Sequence, residues 1–163
     1  INDIDFDKLQ NKVKYIDKYR DVVTLKPNQA KEFDIKMGSN YIRMISHKRV
    51  IGTGDFSTIK GNIFLRLIED GELKLFKYYY HKSSLGQNYY GNGTYQRELV
   101  FGENLIFQNI EGKNLVFGEY LIQQDVINFF SDCQNLVDKV NSKELIFNDA
   151  DALFDFYKQN CKK

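Results

Sequence analysis

A chain of 163 residues is long enough for one domain that buries about 70% of the surface its unfolded form exposes. With 23 lysines and arginines against 22 aspartates and glutamates, the net charge of +1 excludes a global basic field for nucleic acid or an anionic membrane surface. A hydrophobic content of 42% excludes a disordered chain, and no apolar run reaches the roughly 20 residues of a helical membrane span.

The start, Ile1-Asn2-Asp3-Ile4-Asp5, lacks the basic and apolar regions of a signal peptide. Short apolar runs at 13–16 and 22–25 read as strands, and Pro27-Asn28-Gln29 as one helical turn after them, because proline is pre-set for a first helical position. Phe33, Ile35 and Met37, then Gly38-Ser39-Asn40, then 41–44 read as a hairpin. His47 in Ser46-His47-Lys48-Arg49 reads as part of an exposed basic turn, and 50–53 as a weak strand. Ile63, Leu65 and Leu67 share one face of a strand at 63–67. Leu73 and Leu75 oppose Phe76, Tyr78 and Tyr80 in the next, and Asp70-Gly71 between them predicts a tight type I′ hairpin.

The segment 78–95 carries Tyr78, Tyr80, Tyr89, Tyr90 and Tyr95 among Gly86, Gly91 and Gly93, which reads as a long aromatic loop after His81. Tyrosine joins a rigid apolar face to a polar tip, so the loop is a candidate platform for a glycan, a small ligand or a protein; the alternative is a half-buried hairpin with an ordinary tip. Asn92-Gly93-Thr94 also matches a glycosylation acceptor. Next come Leu99-Val100-Phe101-Gly102-Glu103 and its echo Leu115-Val116-Phe117-Gly118-Glu119, one short duplication and not a repeat architecture. A third hairpin runs from 105–108 through Glu111-Gly112 to 115–117.

Past Tyr120 the period lengthens. Ile122, Val126, Phe129, Phe130, Cys133, Leu136, Val137 and Val140 follow one helix face, as a single helix or as two broken near Ser131. A strand-like Leu145-Ile146-Phe147 precedes a last helix, capped by Asn148 or Asp149, with Leu153, Phe154, Tyr157 and Cys161 on its buried side. Cys133 and Cys161 thus fall on two apolar stripes, either as reduced apolar residues or as a bonded pair.

Catalytic chemistry has no motif to stand on. His47 and His81 lie in separate β regions, no Gly-x-Ser-x-Gly elbow or Cys-x-x-Cys is present, and Gly52-Thr53-Gly54-Asp55 lacks the lysine of a phosphate-binding loop. Glu69 with Asp70, and Asp149 with Asp151, read as turn and cap residues before they read as acid-base pairs. No metal and no cofactor is expected.

The order Val23-Thr24-Leu25-Lys26-Pro27-Asn28, Glu32-Phe33, Gly38, Tyr41, then Phe64-Leu65-Arg66-Leu67-Ile68-Glu69-Asp70-Gly71, Leu75-Phe76-Lys77-Tyr78, Asp132-Cys133 and Phe156-Tyr157-Lys158-Gln159-Asn160-Cys161 resembles a group of small, uncharacterised secreted or envelope proteins of Bacteroidota-type bacteria. The group often has a proline after its first cysteine, where this chain has Gln134. The resemblance implies an export signal and a further strand upstream of Ile1, an oxidising compartment, and a disulfide between Cys133 and Cys161; it implies no activity.

The expected fold is therefore α+β: one domain over 1–163, β-rich over 1–120 and helical over 121–163, with an antiparallel sheet or partly open barrel of about seven to nine strands and the C-terminal helices packed on it. The expected role is a non-catalytic extracytoplasmic structural or protein-interaction module in the periplasm or at the cell surface. Its expected partner is a protein, with an outer-membrane complex among the candidates. A glycan or small-ligand module using the tyrosine loop is second, and a hydrolase a distant third.

Overall fold

The alternating stretch from 32 to 117 forms one six-stranded antiparallel sheet in the computed structural model, which describes residues 5–48, 61–86 and 96–161, with 81–86 and 96–101 described by backbone alone. Its strands are neighbours in chain order: β3 (Glu32–Met37), β4 (Asn40–Lys48), β5 (Asn62–Glu69), β6 (Lys74–Gly86), β7 (Gln96–Gln108) and β8 (Asn114–Phe117). Ahead of them, β1 (Val13–Ile16) and β2 (Val22–Leu25) make a separate two-stranded sheet. The sheet is open, because among the described residues β3 and β8 pair on one side only. Among the described residues, eight strands with four helices, mostly C-terminal, make the chain α+β. The expected weak strand at 50–53 lies outside the described residues.

Gly38 takes φ +61° at the first position of a two-residue loop with Met37 opposite Asn40, the place where a II′ turn needs glycine. The Asp70-Gly71 hairpin forms, but not through a type I′ turn. Gly71 stays out of the left-handed region, and the Asp70 carboxylate organises the loop by accepting from its backbone N–H and from Lys74 Nζ at 3.1 and 2.6 Å. A bulge between Leu67 and Glu69 absorbs the change in register.

In β6 and β7, consecutive residues are buried on opposite faces. Leu75 and Phe107 join Leu115, Phe117 and the C-terminal helices in one cluster, whereas Phe76, Tyr78 and Ile106 join Ile63 and Leu65 in another. The helices are α2 (Gln123–Phe129), α3 (Gln134–Asn141) and α4 (Ala150–Asn160). The long apolar stripe is thus two helices, and Ile122, expected on the buried face, precedes α2 and is exposed. Leu145-Ile146-Phe147 is not a strand. The segment crosses as irregular chain without joining a ladder, Leu145 and Phe147 packing against the helical cluster while Ile146 is exposed. Asp149 is the cap of α4, accepting from Ala152 N at 3.0 Å.

A fourth helix, α1 (Phe6–Asn11), was not legible as a pattern. Asp5 caps it by accepting from Lys8 N, and Phe6 stacks on Tyr79 at 4.7 Å. Gln10, 2% exposed, meets the backbone of β6: its Oε1 accepts from Tyr79 N at 2.6 Å and its Nε2 donates to Tyr79 O at 2.7 Å. The β5–β6 ladder has already ended at Arg66 opposite Lys77, so one side-chain amide takes the place of a strand partner where the two strands part.

The echoed pentapeptide has a physical reading in its glycines. Gly102 lies beneath Tyr80, where a Cβ would come within 2.5 Å of the ring, and Gly118 lies beside the Asn104 amide, 3.3 Å from where its Cβ would be. Each glycine makes room for a side chain of the neighbouring strand.

Candidate functional site

Tyr78 and Tyr80 come together on one face of β6, their rings stacked at 6.3 Å, and they do so through strand geometry, not through a loop. The long loop expected from His81 is shorter than it reads. Strand β6 continues to Gly86, which pairs with Gln96 of β7 in the same register that sets Lys74 opposite Gln108. Tyr78 is buried in the cluster of Phe76, Ile63 and Leu65, while Tyr80 is half-buried at its margin. Tyr89, Tyr90 and Tyr95 lie outside the described residues, as do Asn92-Gly93-Thr94 and Gly52-Thr53-Gly54-Asp55; the side chain of His81 is likewise not described. The neighbouring Tyr79 faces the opposite side and holds α1, its hydroxyl accepting from Arg66 Nη1 at 3.0 Å.

His47 is not in an exposed turn. It lies inside β4, opposite Ile63, 9% exposed, with its ring edge-on to Phe76 at 4.6 Å. The basic residues around it suggested solvent, but strand β4 extends to Lys48 and its alternation carries His47 inward. Burial, and then the charge of Lys74, lower its pKa below the ordinary histidine value. The unfolded chain therefore binds a proton more readily than the folded one, and the stabilising difference is complete above pH 6.5 and is lost as pH falls from there through the folded value. Chemical denaturation between pH 7.5 and 5 is expected to show stability falling by at most about 1.4 kcal/mol per pH unit from this group, the slope of one proton. A His47→Leu variant is expected to flatten that decline; an unchanged slope would assign it to other groups.

Cys133 and Cys161 are bonded, with Cα atoms 5.5 Å apart. They stand at helix ends and not on helix faces: Cys133 precedes α3 and Cys161 closes α4, so the bond ties the entry of one helix to the exit of the next. Cys133 belongs to the helical cluster and Cys161 packs against it.

A cleft of about 540 Å³ lies between β7, β8 and the start of α4, with Leu105, Phe117 and Ile146 as its apolar part and Glu103, Asp149 and Asp151 as its acidic part. Two of its carboxylates have structural partners. Glu103 pairs with Lys77 at 2.6 Å and Asp149 caps α4, an arrangement suited to holding chain in place and not to acid-base exchange. Glu69 and Asp70 are likewise engaged, by Lys158 and Lys74. Among the described residues no three His, Cys, Asp or Glu side chains are placed to hold a metal ion.

Among the described residues, the β1–β2 hairpin gathers several exposed apolar side chains. Ile16 and Val22 face each other across the ladder at 70% and 68% exposure, and Tyr19 at the turn is 72% exposed. The turn is well ordered by Asp17, whose carboxylate accepts from Tyr19 N at 2.8 Å and Asp21 N at 3.0 Å. Arg20 takes φ 69°, and Lys18 lies over the Tyr19 ring at 4.9 Å. In the sequence the hairpin reads only as two short strands, although it carries a signal of its own: an apolar pair flanking a polar, charged turn in strands too short to bury it. No family model, no curated protein and no solved structure matches the chain.

Proposed function

We propose that the chain is a non-catalytic, extracytoplasmic interaction module that docks a protein partner through the β1–β2 hairpin, as an accessory subunit of an envelope or outer-membrane assembly. The observation that carries this reading is the hairpin itself: Ile16, Tyr19 and Val22 stand exposed on a two-stranded sheet that shares no ladder with the main sheet. Exposed apolar groups of this kind are stabilised by a partner, and an aromatic anchor at a turn fits a pocket. The Cys133–Cys161 bond supports an oxidising compartment.

A photo-crosslinking residue at Tyr19, in cells of the native host, is the test. The expected result is a discrete adduct with a different chain, lost in an Ile16→Ser/Val22→Ser variant that folds normally. If gentle purification from the native envelope recovers no other chain and the probe captures none, the reading fails.

A second reading, a glycan or small-ligand module, draws on the stacked Tyr78–Tyr80 pair. Tyr78 is enclosed in the core, so Tyr80 with Tyr89, Tyr90 and Tyr95 would have to supply the platform. Titration with soluble oligosaccharides against a Tyr80→Ala variant separates it from protein docking.

A further inference from the structure

The outer edge of the main sheet carries a charge pattern that is complementary to itself. The backbone bond from Ser46 N to Lys31 O, together with the Met37–Asn40 pair at the turn, sets the alternation of β3: the odd residues Lys31, Phe33, Ile35 and Met37 bond to β4, and the even residues Glu32, Asp34 and Lys36 direct their N–H and C=O groups outward. Among the described residues nothing pairs with that outer side. Antiparallel pairing of this edge with its own copy, centred on Ile35, places Asp34 opposite Lys36 and, by symmetry, Lys36 opposite Asp34. Both are outward-facing residues, so each pair exchanges its backbone bonds as a ladder requires. On the other face the same register sets Ile35 against Ile35 and Phe33 against Met37, all half-buried in one copy. The competing register, centred on Asp34, sets two aspartates directly against each other and is disfavoured.

We propose that two copies of this chain associate through β3, edge to edge about a twofold axis, joining their six-stranded sheets into one. An isolated lysine on an edge strand ordinarily deters pairing. Here Lys36 has no ion pair among the described residues, and Asp34, whose Oδ1 takes Arg43 Nε at 3.1 Å in an exposed pair, stands opposite it in the copy. The proposal goes beyond hairpin docking and does not depend on it: β1–β2 and β3 belong to different sheets.

Sedimentation equilibrium on the purified, oxidised full chain tests it, with the Ile16→Ser/Val22→Ser variant as a control for the hairpin. The wild type and that control are expected to be dimeric at micromolar to tens of micromolar concentration. Lys36→Pro removes an outward donor without touching a β3–β4 bond and is expected to weaken the dimer by about tenfold or more. Lys36→Asp and Asp34→Lys are each expected to be monomeric alone and to form a mixed dimer when combined, which also covers the case in which the proline variant does not fold. A wild type that stays monomeric across this range overturns the proposal. So does a dimer that Lys36→Pro and Lys36→Asp, folded by circular dichroism, leave intact, or one that only the hairpin variant dissolves.

Discussion

Reducing the Cys133–Cys161 bond is expected to lower the free energy of unfolding by about 3.5 kcal/mol, the chain-entropy value for a sequence separation of 28 residues. The loop so closed contains the whole of α3 and α4, and these helices bring Leu136, Val137, Val140, Leu153 and Phe154 to the cluster that covers Leu75, Phe107, Leu115 and Phe117. Without the bond their docking rests on apolar contact, such as Phe130 against Tyr157 at 5.5 Å and Phe107 against Phe154 at the same distance, and on the exposed Lys158–Glu69 pair. A native stability of about 5 to 15 kcal/mol means the reduced protein still folds at room temperature but with a markedly lower midpoint. Denaturant unfolding with and without reductant measures the difference, and alkylation with mass measurement counts the thiols released. The Cys133→Ala/Cys161→Ala variant should match the reduced protein, since both keep a small apolar group at the buried Cys133 position. A shift below about 1 kcal/mol would mean that the denatured chain is held together by other contacts, outside the chain-entropy model.

Local pattern was enough for the strands whose burial alternates. Val13–Ile16 and Val22–Leu25 end where their apolar residues end, and the Gly38-Ser39 and Glu111-Gly112 turns lie where glycine is needed, Gly112 at φ +79°. Pattern failed where a distant neighbour decides. Leu145-Ile146-Phe147 has the apolar character of a strand but spends it on the helical cluster, with Leu145 and Phe147 packed there, and His47 has basic sequence neighbours but an aromatic spatial one. Helix α1 is six residues long, too short for a helical period to emerge, and its one buried residue is polar. The candidate interaction surface was the hardest to see. The tyrosine-rich segment stands out by composition, yet Tyr78 serves the core and Tyr79 holds α1, whereas the exposed Ile16 and Val22 sit in the short strands β1 and β2. Exposure is a property of what fails to cover a residue, and one-dimensional alternation does not report it.

Gln10→Ala is expected to destabilise the protein by about 2 kcal/mol, because it leaves the N–H and C=O of the half-buried Tyr79 without their side-chain partner and an unsatisfied group costs about 1 to 3 kcal/mol. The effect is larger than a surface residue in a six-residue helix ordinarily has, and it reports a contact between residues 69 apart in sequence. Gln10→Glu separates the two hydrogen bonds. As a carboxylate the new side chain still accepts from Tyr79 N, but it sets a second acceptor against Tyr79 O and carries a buried charge. As a neutral carboxylic acid it accepts from the N–H and donates to the carbonyl, restoring both bonds. Its folded pKa is therefore raised above that of an unfolded glutamate, so the folded state of this variant takes up a proton first as pH falls. Stability relative to wild type is expected to be lowest above the folded pKa and to recover as pH decreases toward the ordinary glutamate value. That trend is opposite to the acid-induced loss expected from His47, which both proteins share and which cancels in the comparison. Unfolding curves for wild type, Gln10→Ala and Gln10→Glu between pH 7.5 and 4.5, with hydrogen exchange at the Tyr79 amide, measure each part. A Gln10→Glu deficit that does not depend on pH would show that Tyr79 O finds another donor, such as water, and that the amide's paired geometry is not what closes the gap between β5 and β6.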